Sequence, residues 1–513
     1  MTGGELQLAA YGSEDFFLTG NPKISFFKQI YRRYTNFSME SIQLEFEGNT
    51  KLSMDSKLEL RCKLPRYGDL VSNMYFICTL PAIYSTKDYN SDNKAFRFKW
   101  ISHIGSNIID NVRISIGGNL IDKHYGEWLM IWNQIHSSGS IVYNRLVGNI
   151  SELTDPAKGN VGDATNYPDY KGDYPSIASH TLHVPLIFWF NRNPGLALPL
   201  ISLQNQDVYI HIEIHQLLDL YTIIPVSESS DKGLSKPKNI SSDNIGNFLR
   251  PSGIVTNIDI NPKLEVNYIF LSQEERKKYL NMDHEYLIET CKRFTSFGHF
   301  NKTVSINLEL QNPVKELVWV AKRNDLDELN QWNNYTNWIL PTVAPYGNLY
   351  TAATVAFVPR DNGDEFFPTS LDVASTDIAY LQKKIITKSK LIFNGSNRID
   401  SKESSFFELL QSYQTYSKAI STDGIHLYSF AISNQQISGV DKGKQIGRKF
   451  QPQGACNMGR INKINMEFEI NQPPHKPITN TSTERYWYRY DFYIYATNYN
   501  ILKVGGGMAD LRY

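Results

Sequence analysis

Hydrophobic and polar side chains alternate one by one along many short stretches of this chain. The clearest stretch, residues 206–215, reads QDVYIHIEIH. Its aliphatic residues take every second position: Val208, Ile210, Ile212 and Ile214. Consecutive side chains of a β-strand point to opposite faces of the sheet, so this period of two places the four residues on one face. The pattern predicts a strand with one face in a hydrophobic core and the other toward solvent.

The same alternation, rich in aromatic and β-branched residues, predicts further strands. They are residues 57–64, 73–80, 111–116, 264–271, 305–310, 317–321, 461–470 and 486–495. Amphipathic spacing predicts short helices at residues 127–136 and 404–413, and a turn of helix at 273–279. Strands and helices do not alternate regularly, which argues against a doubly wound parallel sheet. We therefore expect an all-β fold with a few short helices in loops.

Three pairs of phrases recur in nearly the same order in the two halves of the chain. They are SIQLEF (41–46) with SINLEL (305–310), ISIGGNLID (114–122) with LIFNGSNRID (391–400), and QDVYIHIEI (206–214) with NKINMEFEI (462–470). The second pair is the most informative, because each copy joins a strand to a glycine turn and precedes a predicted helix. The recurrence indicates two copies of one fold unit.

Residues 227–260 differ from their surroundings, being polar, aperiodic and rich in Gly, Pro and Ser. This composition is typical of a linker. The expected organisation is an N-terminal segment and first unit over residues 1–226, a linker over 227–260 and a second unit over 261–513. A loop-like insertion covers residues 333–376. Large units of short strands without a solenoid period are typical of β-sandwiches and jelly rolls, and a jelly roll protects its strand edges.

The chain carries no net charge, with 52 Lys and Arg against 52 Asp and Glu. Proteins that wrap nucleic acid use excess cations to neutralise phosphates, so direct nucleic-acid binding is not expected. Four cysteines without a CxxC pair predict free, buried thiols in a reducing compartment. They are Cys62, Cys78, Cys291 and Cys456. Neither a secretory signal nor a bilayer-spanning apolar stretch is recognisable, so we expect a soluble protein made in the cytosol.

Two motifs resemble metal sites, and each has a simpler interpretation. His211, Glu213 and His215 share one face of a predicted strand, but the clean alternation favours the polar side of a half-buried strand. Residues 361–365, DNGDE, lack the closing Glu of a calcium loop, which favours an exposed turn. The sequence shows no phosphate-binding loop, nucleophile elbow or Cys-His pair. We assign no catalytic, cofactor-binding or metal-binding residue, and we do not expect an enzyme.

Tryptophan and tyrosine leave a second class of function open, a carbohydrate-binding or glycoside-active β-sandwich protein. The tryptophans concerned are Trp128, Trp132, Trp189, Trp332, Trp338 and Trp487. A glycosidase also needs two carboxylates about 5 to 10 Å apart in a cleft, which a sequence does not show. Strands and cores account for the same aromatic residues, so this interpretation is the less favoured one.

Longer phrases that resemble one protein family extend over nearly the whole chain. In the first half they cover residues 3–40 (GGELQLAAYGSEDFFLTGNPKISFFKQIYRRYTNFSME), 64–75 (LPRYGDLVSNMY), 114–132 (ISIGGNLIDKHYGEWLMIW) and 185–204 (PLIFWFNRNPGLALPLISLQ). In the second half they cover residues 284–289 (HEYLIE), 312–320 (NPVKELVWV), 391–400 (LIFNGSNRID) and 424–432 (GIHLYSFAI). Taken in this order, the phrases resemble the major capsid proteins of the nucleocytoplasmic large DNA viruses.

The resemblance implies a double jelly roll: two tandem antiparallel eight-stranded jelly rolls in a chain that forms a homotrimer. Three chains with two similar units each would present six near-equivalent wedges and tile the faces of a large icosahedral virion as pseudo-hexagonal capsomers. The implied partners are neighbouring capsomers, minor capsid and penton proteins, and an internal viral membrane. The implied location is the outer capsid shell, after synthesis as a late protein in the host cytoplasm.

A run of basic and aromatic residues lies in the segment that the resemblance places on the underside of the capsomer. It consists of Phe26, Phe27, Lys28, Tyr31, Arg32, Arg33 and Tyr34. Such interleaving can also bind single-stranded nucleic acid or a membrane surface. Because the chain has no positive excess, we favour contact with partners beneath the capsomer.

Overall fold

Antiparallel β-strands are the main secondary structure in the part of the chain that the computed structural model describes, as the alternation predicted. The described residues are 2–28, 31, 33–84, 96–136, 141–154, 175–225, 245–338, 383–417, 420–432, 451–473 and 488–513. The strands form two units in tandem, which we call the first and second units.

The strands of the first unit are β1 (Phe37–Glu45), β2 (Lys51–Ser53), β3 (Leu58–Lys63), β4 (Leu70–Leu80), β5 (Phe96–Trp100), β6 (Ile109–Ile116), β7 (Asn119–Tyr125), β8 (His180–Pro185), β9 (Val208–Ile214), β10 (Tyr221–Pro225), β11 (Asn257–Asp259) and β12 (Lys263–Leu271). Those of the second unit are β13 (His284–His299), β14 (Thr303–Asn307), β15 (Pro313–Arg323), β16 (Ile386–Phe393), β17 (Ser396–Glu403), β18 (His426–Ser429), β19 (Cys456–Asn457), β20 (Ile464–Ile470), β21 (Tyr490–Gly505) and β22 (Met508–Leu511).

The helices are short; α1 and α2 precede the first strand, and the others lie in the connections between strands. They are α1 (Gly3–Ala9), α2 (Phe16–Thr19), α3 (Ile104–Asn107), α4 (Gly126–His136), α5 (Ile141–Leu146), α6 (Ser151–Thr154), α7 (Trp189–Arg192), α8 (Gln273–Asn281) and α9 (Gln411–Tyr416), which a π-helical turn (Phe406–Leu410) precedes. The three helices predicted from amphipathic spacing correspond to α4, α8 and the helix from Phe406 to Tyr416.

The two units share one strand order. In the first unit the sheet β1-β12-β4-β8 packs against the sheet β3-β9-β6-β7. In the second, β13-β21-β15-β18 packs against β14-β20-β16-β17. We call the eight strands of these two sheets the main strands of each unit and number them 1 to 8 along the chain. In both units, one sheet then has the strand order 1-8-3-6 and the other has the order 2-7-4-5. This order is that of a jelly roll, so the predicted double jelly roll is confirmed.

Alternating burial follows the predicted core faces. Along β9 the residues from Val208 to Ile214 are alternately buried and half-buried, and Val208, Ile210, Ile212 and Ile214 are the buried ones. Strand β20 shows the same pattern over Ile464–Ile470. In each unit these side chains meet those of the opposite sheet in one hydrophobic core.

The boundary between the units lies later than the sequence suggested. Strand β12 pairs with β1 and β4, so residues 263–271 close the first unit instead of opening the second. The predicted linker, 227–260, is therefore a connection within the first unit, and its described part contains β11. The prediction was wrong because the last strand of a jelly roll returns beside the first, and a long polar loop before it resembles a linker.

The strand order also tests the internal repeats. The phrases at 114–122 and 391–400 form the same turn in the two units, between β6 and β7 and between β16 and β17. The phrases at 206–214 and 462–470 both form the seventh main strand. The third pair is not equivalent, since residues 41–45 belong to β1 and residues 305–307 to β14.

Candidate assembly interface

Helix α4 of the first unit lies between the two units. It is apolar on nearly all sides and has no exposed residue, as is typical of a helix covered from two directions. The indole ring of Trp128 stacks on the Tyr495 ring of β21, with 5.0 Å between ring centroids. Val318 and Val320 of β15 also belong to the core cluster of the first unit. The two sandwiches therefore share buried apolar surface instead of being joined by a loose linker.

A buried carboxylate fixes α4 to the second unit. Glu127 accepts hydrogen bonds from the hydroxyls of Tyr335 (2.9 Å) and Tyr495 (2.6 Å). Its Oε1 also lies 2.6 Å from Nζ of Lys322, and both charged side chains are nearly buried. Burial raises the pKa of Tyr335 and of Tyr495 well above the usual value, so both phenols stay protonated and act as donors.

A second charged cluster joins the units beside α7. Arg192 donates from Nη1 to Oε2 of Glu289 (3.0 Å) and from Nη2 to its backbone carbonyl (2.8 Å). Lys315 donates to Oε1 of the same carboxylate at 2.9 Å. Burial alone raises the pKa of Glu289, but the charges of Lys315 and Arg192 outweigh it and hold that pKa at about 2. The carboxylate is therefore ionised at every physiological pH.

A third polar cluster lies near the carboxyl end of α4. The Tyr416 hydroxyl donates to Oε2 of Glu316 at 2.5 Å, and the Thr497 hydroxyl donates to Oε1 at 3.2 Å. Nε2 of His136 lies 3.4 Å from the Tyr416 hydroxyl. Burial lowers the pKa of His136 to about 3, so its imidazole is neutral. Two hydroxyl donors therefore satisfy both oxygens of the buried Glu316 carboxylate.

Backbone contacts at two edges complete the interface. At one edge, Nδ2 of Asn330 donates to the carbonyls of Leu218 (2.7 Å) and Tyr221 (2.8 Å). At the other edge, the Ala509 amide donates to Oε1 of Gln206 at 2.7 Å. These contacts involve neither α4 nor the charged clusters, so they join the two units at further points. Buried apolar, charged and backbone contacts together connect the two similar units.

The local patterns of the sequence did not predict this interface, although strand β15 contains a signal of it. Strand β15 reads PVKELVWVAKR, in which Lys315, Glu316 and Lys322 interrupt an apolar run. All three are buried. Charges in a buried strand require partners, and partners absent from the strand itself must come from another element. The sequence does not show which element that is.

The run predicted to contact partners lies in an exposed amino-terminal surface. We use this name for residues 2–34, in which α1 and α2 bury no residue. Phe26, Phe27, Lys28, Tyr31, Arg33 and Tyr34 are all exposed, and the Phe27 side chain is fully so. Arg32 lies outside the described residues. The structure does not gather these side chains into a pocket, so their role stays a prediction.

The motif of His211, Glu213 and His215 has ordinary strand partners. The amide of Asn111 donates to Glu213 at 2.7 Å, and His211 lies 3.2 Å from the Ser115 hydroxyl. His215 stacks on Trp332. In the described part of the chain, no group of three or more His, Cys, Asp or Glu side chains is placed to hold a metal ion. The DNGDE motif at residues 361–365 lies outside that part.

The tryptophans named for carbohydrate binding are mostly parts of cores. Trp128 and Trp189 are buried, and Trp132, Trp332 and Trp338 are half-buried. The Trp332 indole donates to the Asp219 carbonyl at 2.9 Å. Trp487 lies outside the described residues. The five described rings therefore do not form an exposed platform for a sugar.

The cysteines are free thiols, as predicted, but they are not all buried. Cys62 and Cys78 are buried, whereas Cys291 and Cys456 are half-buried. Burial raises the pKa of Cys62 and of Cys78 to about 12, which keeps both thiols protonated and unreactive. Among the described helices, none combines the length and apolar character that crossing a bilayer requires.

The fold and the buried interface define a double jelly-roll protein in which two copies of one sandwich act as a single body. The family model described as "Major capsid protein N-terminus" matches residues 25–272, and the one described as "Large eukaryotic DNA virus major capsid protein" matches residues 275–510. The first match ends one residue after β12. The chain belongs to the major capsid proteins of large eukaryotic DNA viruses.

Individual relatives agree with this family. The chain is 30% identical over 567 aligned positions to the major capsid protein of Phaeocystis pouchetii virus, with both chains covered completely. It is 28% identical over 529 positions to that of Paramecium bursaria Chlorella virus 1, again over 100% of both. The structure matches the PBCV-1 virus capsid with a TM-score of 0.62 and 24% identity, covering 95% of this chain and 100% of that one. This likeness shows the double jelly-roll fold.

Proposed function

We propose that this chain is the main building block of an icosahedral virion shell and acts as a homotrimeric, pseudo-hexagonal capsomer. One observation carries the proposal: two units of identical strand order are locked side by side through buried apolar and charged contacts. Membership of a family of structural capsid proteins supports it. The chain's work is then done by surfaces, with no catalytic step, no cofactor and no direct binding of nucleic acid.

The geometry explains why a duplicated unit suits this task. A ring of six similar wedges fills a hexagonal lattice, and a chain that carries two wedges needs only three copies to close the ring. Rigid coupling of the wedges matters because a flexible linker would let neighbouring wedges adopt different angles. The buried clusters around Glu127 and Glu289 supply this coupling.

Light scattering of the purified chain tests the trimer. The chain has a mass of 58.8 kDa, so three copies give about 176 kDa. We expect this mass at micromolar concentration and a hexagonal outline in negative-stain images. A monomer at concentrations that support shell assembly contradicts the proposal.

We further propose that the amino-terminal surface faces the inside of the shell, where it contacts minor capsid proteins, penton proteins or an internal membrane. Its exposed aromatic and aliphatic side chains support this, since soluble proteins rarely leave so many together without a partner. Replacement of Phe26 and Phe27 by Ser should leave the trimer intact and weaken the attachment of minor proteins to purified shells. Unchanged attachment contradicts this role.

A further inference from the structure

In each unit a helix follows the fifth main strand. One side of this helix is buried against the other unit in the first unit, whereas the corresponding side is exposed to solvent in the second. In the first unit this helix is α4, which packs on its own unit and on the second unit and has no exposed residue. In the second unit the equivalent helix runs from Phe406 to Tyr416. It packs on its own core through Phe407, whose ring lies 5.0 Å from that of Trp319. Its end at Tyr416 contacts His136 of α4, and the side that carries Leu409, Leu410 and Tyr413 faces solvent.

The repeated turn gives a residue-by-residue correspondence between these helices. Asp122 and Asp400 close the two copies of the repeat, so the offset is 400 minus 122, or 278. By this offset, three covered positions of α4 correspond to three exposed ones: Ile131 to Leu409, Trp132 to Leu410, and Ile135 to Tyr413. Ile131 and Ile135 are buried and Trp132 is half-buried, whereas Leu409, Leu410 and Tyr413 are 54%, 43% and 68% exposed.

The surface that receives α4 also has an open counterpart. Helix α4 of the first unit packs against the outer face of the second unit's sheet β13-β21-β15-β18. One row across that face is Arg293, Tyr495, Val318 and Leu427, and the last three are buried. In the first unit, a row across the corresponding face is Gln43, Glu265, Tyr75 and Pro185, which are all half-buried or exposed.

We infer that the exposed side of the helix at Leu409, Leu410 and Tyr413 docks on the outer face of the sheet β1-β12-β4-β8 of a second copy of this chain. The contact between chains would repeat the contact within one chain, in which the helix of the first unit packs on the sheet of the second. In the repeated contact, the helix of the second unit packs on the sheet of the first unit of the neighbouring chain. A head-to-tail contact of this kind closes into a ring when its rotation allows. The inference rests on the proposed trimer and assigns the surfaces at which its chains meet.

Charge substitution on the helix tests this interface. We expect the double variant Leu410→Asp, Tyr413→Asp to dissociate into monomers, with a dissociation constant raised about 30-fold or more, as for loss of a central interface contact. Ile254→Asp is the matched control, because Ile254 is exposed but belongs neither to the helix nor to the sheet β1-β12-β4-β8. Light scattering over a dilution series gives the mass, and circular dichroism checks that the variant is folded.

Cross-linking tests the partner surface by a measurement that does not depend on loss of binding. A chain carrying Tyr413→Cys and Gln43→Cys should form covalent dimers and trimers with a short bismaleimide. A chain carrying Tyr413→Cys and Leu120→Cys should not, because Leu120 lies on the other sheet of the first unit. The unmodified chain measures the background from Cys291 and Cys456.

The outcomes separate this inference from the proposed function. If the wild-type chain is a trimer but the helix variant keeps its dissociation constant, or the Gln43 pair gives no ladder, this interface is wrong and the trimer stands. If the wild-type chain is a monomer, the proposed trimer fails, and this interface fails with it.

Discussion

Single side chains in the first unit show how strictly this fold separates apolar from polar positions. Ile212 lies in the middle of β9 with no exposed surface, whereas Glu213, the next residue, pairs with polar groups outside the core. Some buried ionisable side chains are compensated by partners, as for Glu289, and others are kept neutral by burial, as for His136. The effect of one substitution on stability therefore depends on the strand face that the residue occupies or on the partner that it loses.

Replacement of Ile212 by Asp should prevent normal folding. The carboxylate would point into the core between the two sheets of the first unit without a partner, at a cost of more than about 4 kcal/mol. We expect insoluble or monomeric protein in a sedimentation assay. Ile212→Val, which loses one methylene, should cost about 1 kcal/mol and stay soluble. A soluble Asp variant with normal trimers would show that β9 is assigned to the wrong face.

Asp122 should make the folded chain less stable as the pH rises. Burial, the largest effect, raises its pKa from 3.8 to about 7, although the charge of Arg192 and the amides of Lys123 and Cys291 favour ionisation. The folded state therefore binds a proton that the unfolded state releases between these two values. The contribution of this carboxyl group is most favourable below pH 3.8, falls as the pH rises to 7 and is then constant.

Comparison with Asp122→Asn isolates this titration. The amide cannot ionise, so the difference in unfolding free energy between variant and wild type should change by about 3 kcal/mol in favour of the variant from pH 4 to pH 7. Guanidinium unfolding of the dilute chain at each pH measures it. A difference that does not depend on pH would mean that Asp122 is ionised throughout this range.

Helix α4 is the element whose packing most affects the whole chain. Its first residue, Gly126, approaches the backbone so closely that a Cβ would overlap the carbonyl oxygens of Ile109 and Ser106. Its next residue, Glu127, carries the buried contact to the second unit. The sequence predicted this helix from its amphipathic spacing, but both its start and its partner depend on contacts that are distant along the chain.

Gly126→Ala should destabilise the chain by about 3 kcal/mol, because backbone atoms of α3 and β6 must move to admit the methyl group. Gly253→Ala is the control, since a Cβ at Gly253 meets nothing within 4 Å. Thermal unfolding of both variants measures the difference. Equal unfolding midpoints would show that α4 can shift without cost.

Glu127→Gln should destabilise the chain by about 3 to 5 kcal/mol, because it leaves the buried charge of Lys322 without its counter-ion. A second change, Lys322→Met, removes that charge and should restore much of the loss. Lys63→Gln, at the exposed pair with Asp207, should have little effect. Denaturant unfolding of the two single variants Glu127→Gln and Lys322→Met, their double variant and the Lys63→Gln control measures the coupling. Additive effects of the two single changes would contradict a direct ion pair.

At the scale of the whole molecule, the two packed units form a folded body on which the amino-terminal surface does not pack. The two units form one body through shared buried contacts, whereas α1 and α2 bury nothing against it. Large exposed apolar side chains are concentrated in the amino-terminal surface and recur in smaller groups, such as that at Leu409 and Leu410. This separation allows folding and assembly to be tested independently.

Deletion of residues 2–34 should leave the unfolding midpoint unchanged, since the described residues of this segment contribute no buried side chain. It should abolish the formation of complete shells while trimers persist. Differential scanning calorimetry and electron microscopy of assembly reactions measure the two effects. A lowered midpoint would indicate that the segment packs on the body after all.

The sequence by itself determined the fold class, most strand positions, the core face of β9 and two of the three repeats, because alternation and turns are local properties of the chain. Only the tertiary structure decided that β12 belongs to the first unit and that Glu127, Arg192 and Lys315 meet partners across the interface. These pairings join residues far apart along the chain. They depend on how whole sheets pack, which no local pattern encodes.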